Sequence, residues 1–187
     1  MKIALAAATA CAVLSLTPTA ATAMVNARPD NAHPEAGALY FSETASSTRH
    51  FACSGALIDK TAFLTAAHCF ADYYRANGHL PVAWVTFDQR PSGSSTFYQG
   101  SISIDPAFLP KLTSSQNVYA NDTNDIAVIH LSQSPGIVPA SLPKAGALNQ
   151  IPQNQTFDVL GYGSSVTFGE GHTNIHRPVT ASWHCSV

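Results

Sequence analysis

Charge is what this sequence has least of. Only 11% of its 187 residues are Asp, Glu, Lys or Arg, against about a quarter in an average soluble domain. The formal net charge is −2, so the chain lacks the basic footprint that holds nucleic acid. Membrane-length apolar runs are also missing. An Ala-rich stretch, Ile3 to Leu16, is too short for a comfortable bilayer span, so no membrane partner is expected. There is no internal repeat and no low-complexity tract.

What is present points to a turn-rich β protein. Hydrophobic residues make up 45% of the chain, enough for one cored domain or two small packed barrels. Twelve Pro, eleven Gly and many Ser and Thr suit short strands and turns, not a helix bundle.

The first residues carry a targeting pattern. Lys2 precedes the apolar run, and Ala21-Thr22-Ala23 is an A-x-A cleavage site, as in a secretory signal peptide. Residues 1–23 are therefore expected to be a signal and the mature protein to be secreted, starting at Met24. Cys11 lies inside an apolar run that continues past it, which argues against a lipoprotein signal. Cys53, Cys69 and Cys185 then remain. An odd count in a secreted protein means a free thiol, an intermolecular bond or a missing partner.

Strand patterns recur along the rest of the chain. Short strands are predicted at Ala38 to Phe41, Phe51 to Ile58, Phe63 to Thr65, Val82 to Phe87, Phe97 to Ile104, Ile126 to Leu131 and Thr156 to Gly161. Residues 73–76 suit a helical turn, 105–124 a long polar loop, and Pro135 to Gly146 a link between two halves. Beyond residue 165 the pattern decays. Regular short strands with turn signals argue an all-β sandwich or barrel.

Chemistry concentrates at Cys53 to Phe70, which reads CSGALIDKTAFLTAAHCF. His68 follows a short apolar strand through small residues, Ala66 and Ala67, that leave an imidazole uncrowded. A second segment, Asn124-Asp125-Ile126-Ala127-Val128-Ile129-His130-Leu131, sets a carboxylate just before an apolar strand. A neutral imidazole activates a hydroxyl, and a carboxylate fixes the imidazole's tautomer and stabilises its charged form. Asp122 is a nearby competitor that lacks the strand immediately after it. His68 as a structural histidine and Asp125 as a turn aspartate are the plainer readings.

These segments resemble the trypsin/chymotrypsin family of serine proteases, where a Cys-x-G-x-L-I string precedes TAAHC and a D-I-A string follows. The arm Arg28 to Pro34 with Gly37 resembles secreted bacterial members, and Leu160-Gly161-Tyr162-Gly163 resembles a strand of the second barrel. The resemblance covers about residues 25–165. It implies a trypsin-like double β-barrel, the first barrel complete at about 24–140 and the second partial at about 141–187. It implies His68 as general base, Asp125 as orienting carboxylate, and a Cys53–Cys69 disulfide pinning the histidine loop, worth roughly 3 kcal/mol by loop closure. It implies a polypeptide substrate and neither cofactor nor metal.

The family's nucleophile string, G-D-S-G-G, does not occur in the 187 residues. Ser164 and Ser165 follow Gly163 but lack a G-x-S-x-G context, and Ser54 holds a family position beside the disulfide. Met24-Val25-Asn26-Ala27 also replaces the I-V-G-G start of activated members. The expectation is a chain shortened before its nucleophile and inactive alone, with Cys185 half of a disulfide whose partner is missing. Arg177 to Val187 shows no family pattern and also fits a frameshifted tail. The alternative is a secreted non-catalytic pseudoprotease that binds partners. Downstream coding sequence for G-D-S-G-G, in any frame, would separate the two.

Other signals are weaker. His172 and His176 have the i, i+4 spacing of a zinc-binding helix, but Thr173, Asn174 and Pro178 oppose a helix there. The sequons at residues 121–123 and 154–156 matter only in a glycosylating host. Trp84 reads as a core residue. Gly161 and Gly163 read as turn glycines.

Overall fold

The computed structural model describes residues 24–25, 28–113, 124–152, 156–163, 165–166 and 177–184. The signal segment, Asp122, Cys185, His172 and His176 lie outside these residues. So does the sequon at 121–123, and so do the first two residues of the other.

Among the described residues eleven strands follow in order: β1 Met24–Val25, β2 Arg28–Pro29, β3 Ala36–Ser42, β4 His50–Leu57, β5 Ala62–Thr65, β6 Val82–Thr86, β7 Tyr98–Ile104, β8 Ala127–Leu131, β9 Thr156–Gly163, β10 Ser165–Val166 and β11 Arg177–His184. Six of them close an antiparallel barrel in the order β3-β4-β5-β8-β7-β6. Alternation explains their faces. In β8, Ala127, Ile129 and Leu131 are buried while His130 is exposed. In β5, Phe63 and Thr65 point inward. The barrel centre is filled by Leu39, Leu57, Phe63, Val85 and Ile129, all at 0% exposure. Each such side chain contributes about 1.5–3 kcal/mol on burial. In β6, Ala83, Trp84, Val85 and Thr86 are all buried, so this strand is covered on both faces.

Glycine is required where β3 and β4 cross the core. A Cβ at Gly37 would lie 2.7 Å from the Phe63 ring, and one at Gly55 would strike the Leu64 carbonyl and the same ring.

Among the described residues two α-helices pack on the barrel core. The helical turn expected at 73–76 is a two-turn helix, α1, Ala71–Asn77, ended by Gly78 at φ 75°. The Gly78 N–H donates to the Tyr74 carbonyl at 2.7 Å, a left-handed closure that glycine adopts without strain. The region expected to be loop from 105 to 124 contains a short helix, α2, Leu109–Leu112. Phe108 and Leu112, four positions apart, are both buried in the core cluster, and that packing outweighs the polar composition around them.

The remaining strands form a second, smaller body. β2, β11 and β9 make an antiparallel sheet, and β1 pairs with β10 in parallel. The tail after residue 165 therefore holds a strand where the sequence reading found decay. β11 pairs with β9 over eight residues, from Arg177↔Gly163 to His184↔Thr156. Val179, Ala181 and Trp183 alternate with Thr180 and Ser182, a period-2 pattern hidden behind Arg177-Pro178. Gly161 and Gly163 are likewise strand residues rather than turn residues. Among the described residues this sheet stays open, with Phe157 and Val159 exposed on β9 at 38% and 41%. One closed barrel beside a partial second one is the architecture expected from the sequence.

Candidate active site

The barrel register brings the two halves of the site together. Thr65, the last residue of β5, pairs with Ala127, the first of β8. His68 lies three residues beyond one and Asp125 two residues before the other, so both emerge at the same barrel end. Ala66 stays extended at φ −86° and ψ 143°, and the chain then tightens into a 3-10 turn, Ala67–Phe70. Ala67, Phe70 and Ala71 are fully buried and seat the turn on the core. Phe70 stacks on Phe41 with ring centroids 4.9 Å apart.

Asp125 grips His68 twice. Its Oδ1 accepts the His68 backbone N–H at 2.7 Å, and its Oδ2 lies 2.6 Å from His68 Nδ1. A carboxylate offers only acceptors, so Nδ1 carries the proton and the neutral ring keeps its lone pair on Nε2. The imidazole is 32% exposed and the carboxylate 21%, so solvent still reaches the ring.

A covalent tie holds the turn from the other side. Cys53 in β4 is bonded to Cys69 across a separation of 16 residues. Beside it, Thr65 Oγ–H donates to the Ser54 carbonyl at 2.9 Å. Ligand atoms of Cys53, Cys69 and His68 lie within 4.8 Å of one another, but sulfurs bonded to each other have no thiolate to give a cation.

The structure thus brings His68, Asp125, Cys53 and Cys69 together. Ser54 sits beside the disulfide and turns its hydroxyl to Tyr162 of β9. Ser165 lies in β10, opposite Met24. Sequence reasoning passed over a second Asp–His pair, Asp30 with His33, whose Oδ2 and Nδ1 are 2.8 Å apart. It also passed over Arg49, packed between Trp84 and Phe97. The i, i+3 spacing of the pair is visible in the sequence. The packing of Arg49 depends on distant strands.

The barrel and its His–Asp site define a class, the chymotrypsin-like serine proteases, and the comparisons with known proteins agree. The trypsin family model matches residues 25–186, and the chain belongs to the trypsin family. That match runs through the tail in which no family pattern was read. A collagenase of Hypoderma lineatum is 29% identical over 116 residues, 62% of this chain and 40% of that protein. The Vibrio cholerae VesB protease superposes with a TM-score of 0.58 at 20% identity, over 84% of this chain and 43% of that one. A solved structure of GrC gives 0.57 at 18%, over 85% and 64%. The chain spans less than two thirds of the length of each.

Proposed function

We propose that this chain supplies the base and orienting carboxylate of a serine endopeptidase. His68 Nε2 takes the proton from an attacking hydroxyl as the hydroxyl oxygen adds to a peptide carbonyl. Asp125 stabilises the resulting imidazolium, and the proton then passes to the leaving amine. The observation that carries this reading is the double grip of Asp125 on His68. A turn aspartate needs no ring partner, and a buried structural histidine would not keep a side chain 32% exposed.

The hydroxyl is not supplied by these 187 residues, because no serine has the nucleophile's sequence context. The chain alone therefore does not hydrolyse peptides. Residues 1–23 act as a secretory signal, in keeping with the disulfide, since such bonds persist in oxidising compartments. The domain runs from 24 to 187, its first barrel ending near 140. The missing nucleophile string also favours a second reading, a secreted pseudoprotease that binds polypeptides without cutting them.

A serine-directed fluorophosphonate tests the nucleophile claim: the purified chain stays unlabelled, and stoichiometric labelling of any serine overturns the claim. Nitrogen-edited NMR of the His68 ring tests the base. It shows a deshielded Nδ1–H that is lost in Asp125→Ala, and a ring protonated at Nε2 in its neutral form would refute the assignment.

A further inference from the structure

Arg49 lies one residue before β4, in the connection from β3. Its guanidinium carbon is 4.2 Å from the Trp84 ring centroid and 4.6 Å from that of Phe97. Both rings are themselves held in place. Trp84 is 8% exposed, and its indole N–H donates to Ser42 Oγ at 2.7 Å. Phe97 meets Tyr40 edge-on, with centroids 5.1 Å apart. An arginine held this way has given up much of its rotamer freedom before any ligand arrives.

The ring faces attract the cation but do not neutralise it, and they do not take up its N–H donors in ordinary hydrogen bonds. Among the described residues, no carboxylate pairs with Arg49 and no acceptor takes its hydrogens. The planar fork of a guanidinium edge matches the two oxygens of a carboxylate. Beside it opens a surface cavity of about 420 Å³. Tyr40, Phe97 and Pro91 give it apolar walls, and Thr48 and Ser92 add hydroxyls. Among the described residues no Asp or Glu lines it, and the charge they bring to it is the positive one of Arg49.

We propose that this cavity binds a polypeptide segment in which a carboxylate side chain adjoins an aromatic one. The carboxylate forks onto Arg49, and the aromatic ring lies against Tyr40 and Phe97. A bare anion would satisfy the guanidinium and leave the apolar walls uncovered. The site does not depend on peptide hydrolysis. Neither His68 nor Asp125 is among the residues that line the cavity, so it is separate from that pair.

The test uses the full chain, labelled with nitrogen-15, and follows the Trp84 indole N–H. The probe is the blocked hexapeptide Gly-Phe-Glu-Glu-Phe-Gly. A saturable shift is expected, with binding weakened at least about tenfold when Gln replaces both Glu in the peptide. Arg49→Gln weakens it comparably, and Arg49→Lys, which keeps the charge and loses the fork, weakens it severalfold. Equal binding of the Gln peptide to the unaltered chain overturns the proposal without any variant. An unchanged affinity in Arg49→Gln, no saturable shift at all, or inorganic phosphate shifting Trp84 as strongly as the peptide would overturn it too.

Discussion

Tyr162 and Ser54, 108 positions apart, exchange hydrogen bonds across the boundary between the closed barrel and the open sheet. The Tyr162 N–H donates to Ser54 Oγ at 2.7 Å, and the Ser54 hydroxyl faces the Tyr162 carbonyl at 3.4 Å. The Tyr162 hydroxyl also donates to the Ala36 carbonyl at 3.3 Å. β9 is thereby fastened to β3 and β4 next to the disulfide. Burial pushes the Tyr162 phenol far above its ordinary range, with Asp88 and Tyr40 adding to it, so the ring stays neutral at any working pH.

Ser54→Ala strips the partner from a buried N–H. The expected loss is about 1–3 kcal/mol, the cost of an unsatisfied buried donor. Tyr162→Phe removes a longer, weaker bond and costs about 0.5–1.5 kcal/mol. Urea denaturation measures both. Hydrogen exchange locates the effect: Ser54→Ala should expose the amides of β9 before those of β8.

Gly55→Ala should be among the most damaging single methyl additions to this chain. Its Cβ would lie 2.6 Å and 2.7 Å from two Phe63 ring carbons, and it would also strike backbone at Leu64. Phe63 is fully buried and has nowhere to go. Overpacking of this kind costs about 1–3 kcal/mol, and more where backbone must shift. Gly93→Ala meets nothing within 4 Å and should stay within about 0.5 kcal/mol of the parent. Equal denaturation midpoints for the two variants would show that β4 has slack that the packing denies it.

Removing the Cys53–Cys69 bond tests how the histidine turn is held. The bond closes a 16-residue separation, for which chain entropy gives about 3 kcal/mol. A double Cys→Ser variant should lose about that much stability. Its His68 amide should exchange faster, because that N–H donates to Asp125 Oδ1 from a turn no longer tied to β4.

The barrel was legible because each of its strands declares itself locally. Val82 to Thr86 and Ala127 to Leu131 carry buried residues in short apolar runs. The pairing of His68 with Asp125 was legible because both sit inside strings that the barrel register then brings together. What stayed hidden depends on long-range pairing. β2 is two residues long and exists through Val179↔Pro29 and Thr180↔Arg28. Arg49 meets Trp84 from β6 and Phe97 from the edge of β7. Leu112 closes the core from a segment whose composition reads as loop.

Asp30 and His33 make stability in the N-terminal turn depend on pH. The Asp30 carboxylate accepts the N–H groups of Ala32 and His33 at 2.7 Å and 3.2 Å, and it faces His33 Nδ1 at 2.8 Å. Burial pushes the Asp30 carboxyl up, but these hydrogen bonds and the imidazolium charge together hold it below its ordinary value. The hydrogen bond to Asp30 lifts His33 above its ordinary value against the pull of burial, and the charges of Asp30, Glu35 and Asp158 add to the rise. His33 therefore contributes fully below about pH 6.5, and its contribution fades as pH rises through its elevated pKa. Asp30 contributes fully above about pH 4 and fades as pH falls through its depressed pKa. The pair is worth most between those limits. With the His33 side chain 40% exposed, solvent screening keeps its share below about 1 kcal/mol. The difference in urea midpoint between the parent and His33→Gln should shrink as pH rises from about 6 to about 8, and Asp30→Asn should flatten both limbs. A His33→Gln difference that grows with pH over that range would mean that the imidazole stabilises the turn in its neutral form, contrary to the sign derived from its raised pKa.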